Sequence, residues 1–395
     1  MAERHGSLGY LALKKEITKG SPQTPNVYVP LFDENITTKW NIDDVNPAMG
    51  IKAMRWSAMK GMRDHSGSFT VLGDPNIAGY LFDMILTKGT TTGSNPYTHP
   101  FALSSNTNPN SYTVDIARGQ VVFRFWGVES KELGIDFKDN KMLFKSSVSA
   151  LGSFSVREIS SVTGSGPYTI TLKTDYDLVP TKGLVDNDLI RFYDVSAGTF
   201  IDATVSAVTG DTTFTTSANP TQISNGDLVF LRPATPSYSL APEVFQWAKT
   251  EFRFGADASS ALTASQTRVE EGSEWRIIHQ FVPDEGTKRS GSYDPASLPR
   301  GLGDIEIKTK IFFDNPDDLN RFLSLPKRAL VIRHFAGGTN QHELRITVNN
   351  MIPSEDSVAL KSDEILFEEI SWKAVYDTTD GQMFDAKVVN GVATI

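Results

Sequence analysis

The chain has 395 residues, a net charge of −9 at neutral pH and no cysteine. This length exceeds one packed core, so two or more are expected; the missing cysteines exclude disulfides, thiolate metal sites and cysteine nucleophiles, and the acidic balance opposes a broad basic surface for nucleic acid. The 23 Phe and 6 Trp supply large buried surfaces for a folded protein. No stretch approaches the roughly 18 apolar residues of a membrane span, and the opening MAERHGSLGY lacks the hydrophobic block of a secretory signal, so a soluble chain made in the cytoplasm is expected.

In chain order, YLALKKE, with Leu11 and Leu13, reads as a strand. A polar segment from Asp33 to Ser66 follows, carrying Trp40, Trp56 and the run AMGIKAMRWSAMKGMRD. Its Met49, Met54, Met59 and Met62 serve either as partial core or as an adaptable contact surface, because thioether chains repack readily. GSFTVLGDPNIAGYLFDMIL predicts a strand and then a helix capped by Asp74, opened by Pro75 and striped by Ile77, Leu81, Met84 and Ile85. The long loop TKGTTTGSNPYTHPFALSSNTNPN leads into SYTVDIARGQVVFRFWG and the hairpin ELGIDFKDNKMLFKSS.

From about residue 160 to 233 the pattern changes to short strands between TGSG, VPTKG, VTGD and SNG turns, which predicts a small all-β domain. DNDLIRFYD is answered there by NGDLVFLRP, and Lys173, Lys182, Arg191 and Arg232 face eight aspartates, as suits a solvated outer module.

The first plan then returns. EFRFGAD, with Phe252 and Phe254, answers the opening strand, and a polar segment from Arg268 to Gly303 contains Trp275. DIEIKTKIFFDNPDDLNRFLSL repeats strand and capped helix, with Asn315 as cap, Pro316 first and Leu319, Phe322 and Leu323 as stripe; Asp74 and Asn315 lie 241 positions apart. The hairpin DSVALKSDEILFEEIS matches the earlier one, with Val358, Leu360, Ile365 and Phe367 answering Ile135, Phe137, Met142 and Phe144. The expected fold is mainly β: two tandem β-barrel or sandwich units, each with one short helix, at residues 1–159 and 234–395, and an inserted all-β domain at 160–233.

Catalytic motifs are absent: no P-loop, dinucleotide GxGxxG, HExxH or GxSxG occurs. The six histidines never adopt a metal-ligand spacing. TDYDL and VDNDL lack the Gly and Glu of a calcium loop, and Glu368 and Glu369, as strand neighbours, face opposite sides. Neither an enzyme nor a cofactor is expected.

The opening strand near GYLALKKE, the long arm, GSFTVLGDPNIAGYLFDMIL, the YTHPF segment and FRFWGVESKELGIDF, taken in that order and duplicated, resemble the tail tube proteins of long-tailed bacteriophages, specifically those with two fused tube units. The resemblance covers residues 1 to about 158 and about 240 to 395. It implies a structural virion protein, assembled in the host cytoplasm, whose chains form homotrimeric rings of six tube units that stack into a conduit for genome ejection. Implied partners are other copies of the chain, a tape measure protein in the lumen, tail terminator and distal tail proteins at the ends, and double-stranded DNA that passes without specific binding; no membrane is involved. The inserted domain is then expected to project outward, which obstructs a close-fitting sheath and favours a non-contractile, siphovirus-type tail.

Within that resemblance, alternation along the two hairpins makes Glu132, Asp136, Lys138, Lys361, Glu364 and Glu369 candidates for a mostly acidic lumen, across which DNA slides because it is not held by counterion release. Trp40, Met54, Trp56, Met59, Met62 and Trp275 are candidates for contacts between subunits or rings. The alternative readings are a distal tail or baseplate hub component, which caps a tube, and a carbohydrate-binding adhesin-like protein, which needs clustered exposed aromatics on the all-β domain.

Overall fold

The computed structural model describes residues 9–45, 57–104, 107–164, 167–174, 179–217, 222–282, 292–312, 327–337, 342–358 and 367–395. The first part of the chain forms β1 (Tyr10–Lys15), β2 (Val27–Val29), β3 (Leu31–Glu34), β4 (Thr37–Val45), β5 (Ser57–Leu72) and helix α1 (Pro75–Asp83). Short β6 (Thr87–Lys88), β7 (Thr92–Gly93) and β8 (Tyr97–Ala102) lead to β9 (Tyr112–Arg118), the long β10 (Val121–Lys138), β11 (Lys141–Ser149) and β12 (Gly152–Phe154). Then come β13 (Arg157–Thr163), β14 (Tyr168–Leu172), β15 (Leu189–Asp194), β16 (Thr199–Val208), β17 (Thr213–Thr216) and β18 (Leu228–Leu231). The last part holds β19 (Thr250–Gly255), α2 (Ala258–Thr263), β20 (Glu274–Phe281), β21 (Arg300–Phe312), β22 (Arg328–Ala336), β23 (His342–Val358), β24 (Phe367–Ala374) and β25 (Phe384–Asn390).

Local chemistry accounts for several of these elements. The Asp74 carboxylate accepts from the Asn76 N–H at 2.8 Å, Pro75 begins α1, and Ile77, Leu81, Met84 and Ile85 are buried as their spacing predicts. The helix expected after Asn315 lies outside the described residues. Helix α2, not foreseen in the sequence, is held by a reciprocal cap between Asp257 and Ser260. Asp139 (φ 52) and Asn140 (φ 63) close the β10–β11 hairpin in two residues, the left-handed pair that a type I′ turn requires.

Antiparallel pairing joins β4, β5, β11, β10, β20, β21, β24 and β23, in that order, into one long sheet. β10 and β23 are long enough to leave it and enter a second layer. The first part of β10 pairs with β9, which pairs with β1; the first part of β23 pairs with β22, which pairs with β19. Gly127 (φ 60) sits where the β9–β10 register shifts, a conformation that costs a side-chain-bearing residue dearly. Between the layers lies one continuous core that draws Leu11, Ile116, Leu133 and Phe144 from one half and Ile307, Ile332, Ile346 and Trp372 from the other.

The two halves share strand order and irregularities. β10–β11 has a bulge between Ser130 and Glu132, and β23–β24 has one between Pro353 and Glu355. β4–β5 shifts between Trp40 and Ile42, and β20–β21 between His279 and Phe281. Counting from the bulges keeps the alignment read from sequence on the first strand of the hairpin, where Ile135 corresponds to Val358, and corrects it by one residue on the second. Ser130 opposes Val148 as Pro353 opposes Trp372, so Phe144 corresponds to Glu368 and not to Phe367.

The strands from Arg157 to Leu231 close a six-stranded antiparallel barrel in the order β13, β14, β17, β16, β15, β18 and back to β13. Its two matched sequences become the adjacent strands β15 and β18. Each is preceded by a left-handed residue, Asn187 (φ 70) or Gly226 (φ 94), and by an aspartate whose carboxylate accepts the backbone N–H three residues earlier. The barrel is not solvated all round, as its acidity led one to expect. Alternation turns Leu11 and Leu13 of β1 toward the main core, while Tyr10 and Ala12, with Ala117, Val122 and Trp126, join the barrel's own core. The β1–β9–β10 layer is thus apolar on both faces, and the barrel lies beyond it, on the side away from the outer face of the long sheet.

Candidate assembly surface

One face of the long sheet packs on the core and the other is polar. Leu133 and Ile135 of β10 are buried while Glu132, Asp136 and Lys138 turn outward; Ile370 and Trp372 of β24 are buried while Glu369 and Lys373 turn outward. On β20 and β21, Trp275, Ile277, Ile305 and Ile307 alternate with Glu274, Arg276, Asp304, Glu306 and Lys308. Four of the lumen candidates, Glu132, Asp136, Lys138 and Glu369, therefore share one face. Lys361 and Glu364 lie outside the described residues. The neighbouring Glu368 and Glu369 do part company, the first buried and the second exposed.

The face is mixed in sign and not mostly acidic, because register sets opposite charges beside one another. Lys145 Nζ stands 2.7 Å from Asp136 Oδ2. Arg276 reaches Glu306 at 2.5 Å and Glu132 at 3.1 Å, and hydrogen bonding to Glu306 heads the causes that raise its pKa. Glu369 lies opposite Lys310 in the β21–β24 pairing, and Glu306 opposite Lys373.

The contact candidates divide. Trp40, half-buried on β4, meets Tyr293 edge-on at 5.3 Å and carries Lys60 and Arg63 over its ring. Met59 is 59 % exposed and Ile42 65 % exposed on the hairpin of β4 and β5, whereas Met62 is half-buried. Met54 and Trp56 lie outside the described residues. Trp275 is corrected: it is buried in the main core, so it offers no surface for another subunit. The alternation in EWRIIHQF carries that signal, since it puts Trp275, Ile277 and His279 on one side.

The two halves meet at a seam between β10 and β20, where Glu132 opposes Ile278, Leu133 opposes Ile277 and Gly134 opposes Arg276. Sequence reasoning missed the residue that clamps it. Arg300 donates to Glu129 at 2.9 Å, to the carbonyls of Ser130 and His279 at 2.6 and 2.7 Å, and to the Met84 carbonyl at 3.1 Å. Lys19 also pairs with Glu129. Burial lowers the pKa of Arg300, and Glu129 partly offsets that effect.

At both ends of the sheet the edges are open among the described residues. Among the described residues, no strand pairs with the side of β4 away from β5, or with the last part of β23 on the side away from β24. The aspartates of VDNDL have local work: Asp186 accepts the Val208 N–H, and Asp188 pairs with Arg124. A groove of about 780 Å³ is lined by Phe32, Tyr238 and Leu240 and by Arg118 and Glu34, which form an ion pair. No group of three or more metal-ligating side chains occurs among the described residues. No protein-family model matches the chain, and comparison with curated proteins finds no match.

Proposed function

We propose that the chain is a tail tube protein of the duplicated type, a structural component of a bacteriophage virion. In this reading it is not an enzyme and takes no cofactor. Residues 1–159 and 234–395 are two tube units, and the barrel between them is an inserted outer domain. Three copies form a pseudo-hexameric ring and rings stack into the tail tube.

The observation that supports this best is the long antiparallel sheet, built from two halves with the same strand order and the same two bulges and, among the described residues, left open at both ends. An open sheet with a polar face and unpaired edges is a liability for an isolated protein. Joining copies edge to edge removes it, and contacts that are heterologous around the ring but open along the axis produce a filament. Three copies would carry about 24 strands, a barrel wide enough for an aqueous channel. The polar face then lines the lumen, while the closed barrel, across two apolar layers from that face, projects outward.

The tube surrounds the tape measure protein during assembly and meets terminator and distal tail proteins at its ends; DNA passes without being gripped. Negative-stain microscopy of the purified protein tests the reading. Stacked rings with threefold symmetry and approximate sixfold repetition are expected. Rings that cap without stacking favour a distal tail or hub component, and a protein that stays monomeric when concentrated overturns the proposal.

A further inference from the structure

The seam inside the chain predicts the seam between chains. In β10, Glu132 is the first paired residue after the bulge and lies opposite Ile278. In β23, Glu355 holds that place, since the bulge there falls between Pro353 and Glu355. Across the seam, Ile278 immediately precedes His279, the last residue before the β20 bulge. In β4 that bulge follows Trp40, so Lys39 holds the place of Ile278.

We propose that the free edge of β23 pairs antiparallel with the free edge of β4 in a second copy of this chain, in the register of the internal seam. Glu355 then lies opposite the partner's Lys39, Asp356 opposite the partner's Thr38, and Ser357 opposite the partner's Thr37. The inference rests on the duplicated tube reading and adds to it the strands and register of the contact.

Three observations carry it. Both edges are unpaired among the described residues, and each copy has one of each kind, so association is head-to-tail and able to close. Lys39 and Glu355 are exposed, and neither side chain makes a hydrogen bond or ion pair among the described residues, although Lys39 lies across β4–β5 from Asp64. The register that geometry requires also sets those opposite charges directly across from one another, on the polar face. A slip of one residue would turn them to opposite faces, and a slip of two would bring Glu355 opposite the partner's Asn41 or Thr37. At the internal seam Glu132 faces the neutral Ile278 and draws its partner from Arg276 instead. The corresponding position on β4 is Thr37, which has no charge, so the countercharge has moved to Lys39.

The absence of native cysteine makes the test direct. The full-length double variant Lys39→Cys/Glu355→Cys is oxidised mildly and run on non-reducing gels, with microscopy of the same sample. Glu132→Cys/Ile278→Cys reports disulfide formation within one chain at the internal seam, and Asn41→Cys/Glu355→Cys reports a slipped register. Expected is an intermolecular ladder ending at a closed trimer, formed about tenfold faster than with the slipped pair, since only directly opposite β-carbons come within disulfide reach. Rings in the microscope without this cross-link, or with faster cross-linking of the slipped pair, overturn the register and leave the tube reading standing. Monomers with neither rings nor cross-links overturn both.

Discussion

Trp275 and His334 are bonded inside the main core: the indole Nε1–H donates to His334 Nε2 at 3.1 Å. That contact requires a neutral imidazole protonated on Nδ1, which lies 2.9 Å from Thr250 Oγ1; the hydroxyl passes its own hydrogen to the Gln246 carbonyl at 3.0 Å. Each side-chain polar atom of this relay from Trp275 to Thr250 is satisfied. It links β20, β22 and β19, so the tryptophan serves the second half as an internal tie.

Trp275→Phe removes the donor and leaves His334 Nε2 buried without a partner, at a cost of about 1–3 kcal/mol. A lower urea midpoint with an unchanged slope is the expected result. Equal midpoints for variant and parent would mean the hydrogen bond contributes nothing net.

Acid should weaken the fold through the same residue. Burial lowers the His334 pKa from 6.5 to about 3, so below 6.5 the unfolded chain takes up a proton that the folded chain refuses. Stability therefore falls as pH drops from 6.5 toward 3, and burial pushes His99, His279 and His342 the same way. Asp74 acts oppositely: its pKa, raised by burial from 3.8 to about 6, adds stability as pH falls through that interval. Burial raises the pKa of Asp115, Asp304 and Asp385 in the same sense as that of Asp74, so the histidine contribution is read by difference: from pH 7 to about 5 the denaturation midpoint of the parent should fall relative to that of His334→Gln.

Arg124 holds the closed barrel to the layer beneath it. Its guanidinium bonds Asp115 at 2.7 Å and Asp188 at 2.5 Å, all three residues being buried. Burial pulls its pKa down, but the two carboxylates outweigh that and leave it raised. Arg124→Met leaves two buried carboxylates uncompensated and should cost about 3–5 kcal/mol. Replacing residues 157–231 by a Gly-Ser linker should leave narrower tubes, at reduced solubility because Tyr10, Ala12, Val122 and Trp126 lose their cover. Loss of assembly in a soluble, folded deletion variant would place ring contacts on the barrel.

Charge reversal probes the seam between copies independently of cross-linking. Lys39→Glu and Glu355→Lys should each weaken assembly about three- to tenfold, a like-charge pair across two strands costing of order 1 kcal/mol. The double exchange should restore it. Failure of the exchange to rescue, with both single variants impaired, would show that the two side chains do not meet.

In the proposed lumen, Asp136→Lys and Glu369→Lys replace acids that lie beside Lys145 and opposite Lys310. The first pair is about half exposed, so folding should change by less than ~1 kcal/mol. Genome ejection should slow, more at low salt than at high salt, because the added attraction to DNA is screened. Unchanged ejection times at low salt would remove these side chains from the DNA path.

The elements that could be read from sequence are those specified within a few residues. Asp74 and Pro75 announce α1 because a cap and a first turn are local chemistry. Asp139 and Asn140 announce a hairpin because a two-residue turn needs both in the left-handed region. The bulges are invisible in the sequence, since an unpaired residue is defined only against its partner strand; the hairpin alignment slips by one on its second strand because the second copy has one more residue between the paired positions, Val358 opposing Glu368 where Ile135 opposes Phe144.

The sequence by itself determined the β class, the polar and apolar faces of β10 and β24, the change of pattern near residue 160 and the recurrence of one plan in both halves. Tertiary structure alone decided that β13 to β18 close on themselves, that Arg124 and an apolar face fasten them down, and that β10 finds β20 more than a hundred residues away. Alternation says which side of a strand is buried but not which strand lies beside it, because backbone hydrogen bonds are alike at every residue. The choice of neighbour falls to how the whole core packs.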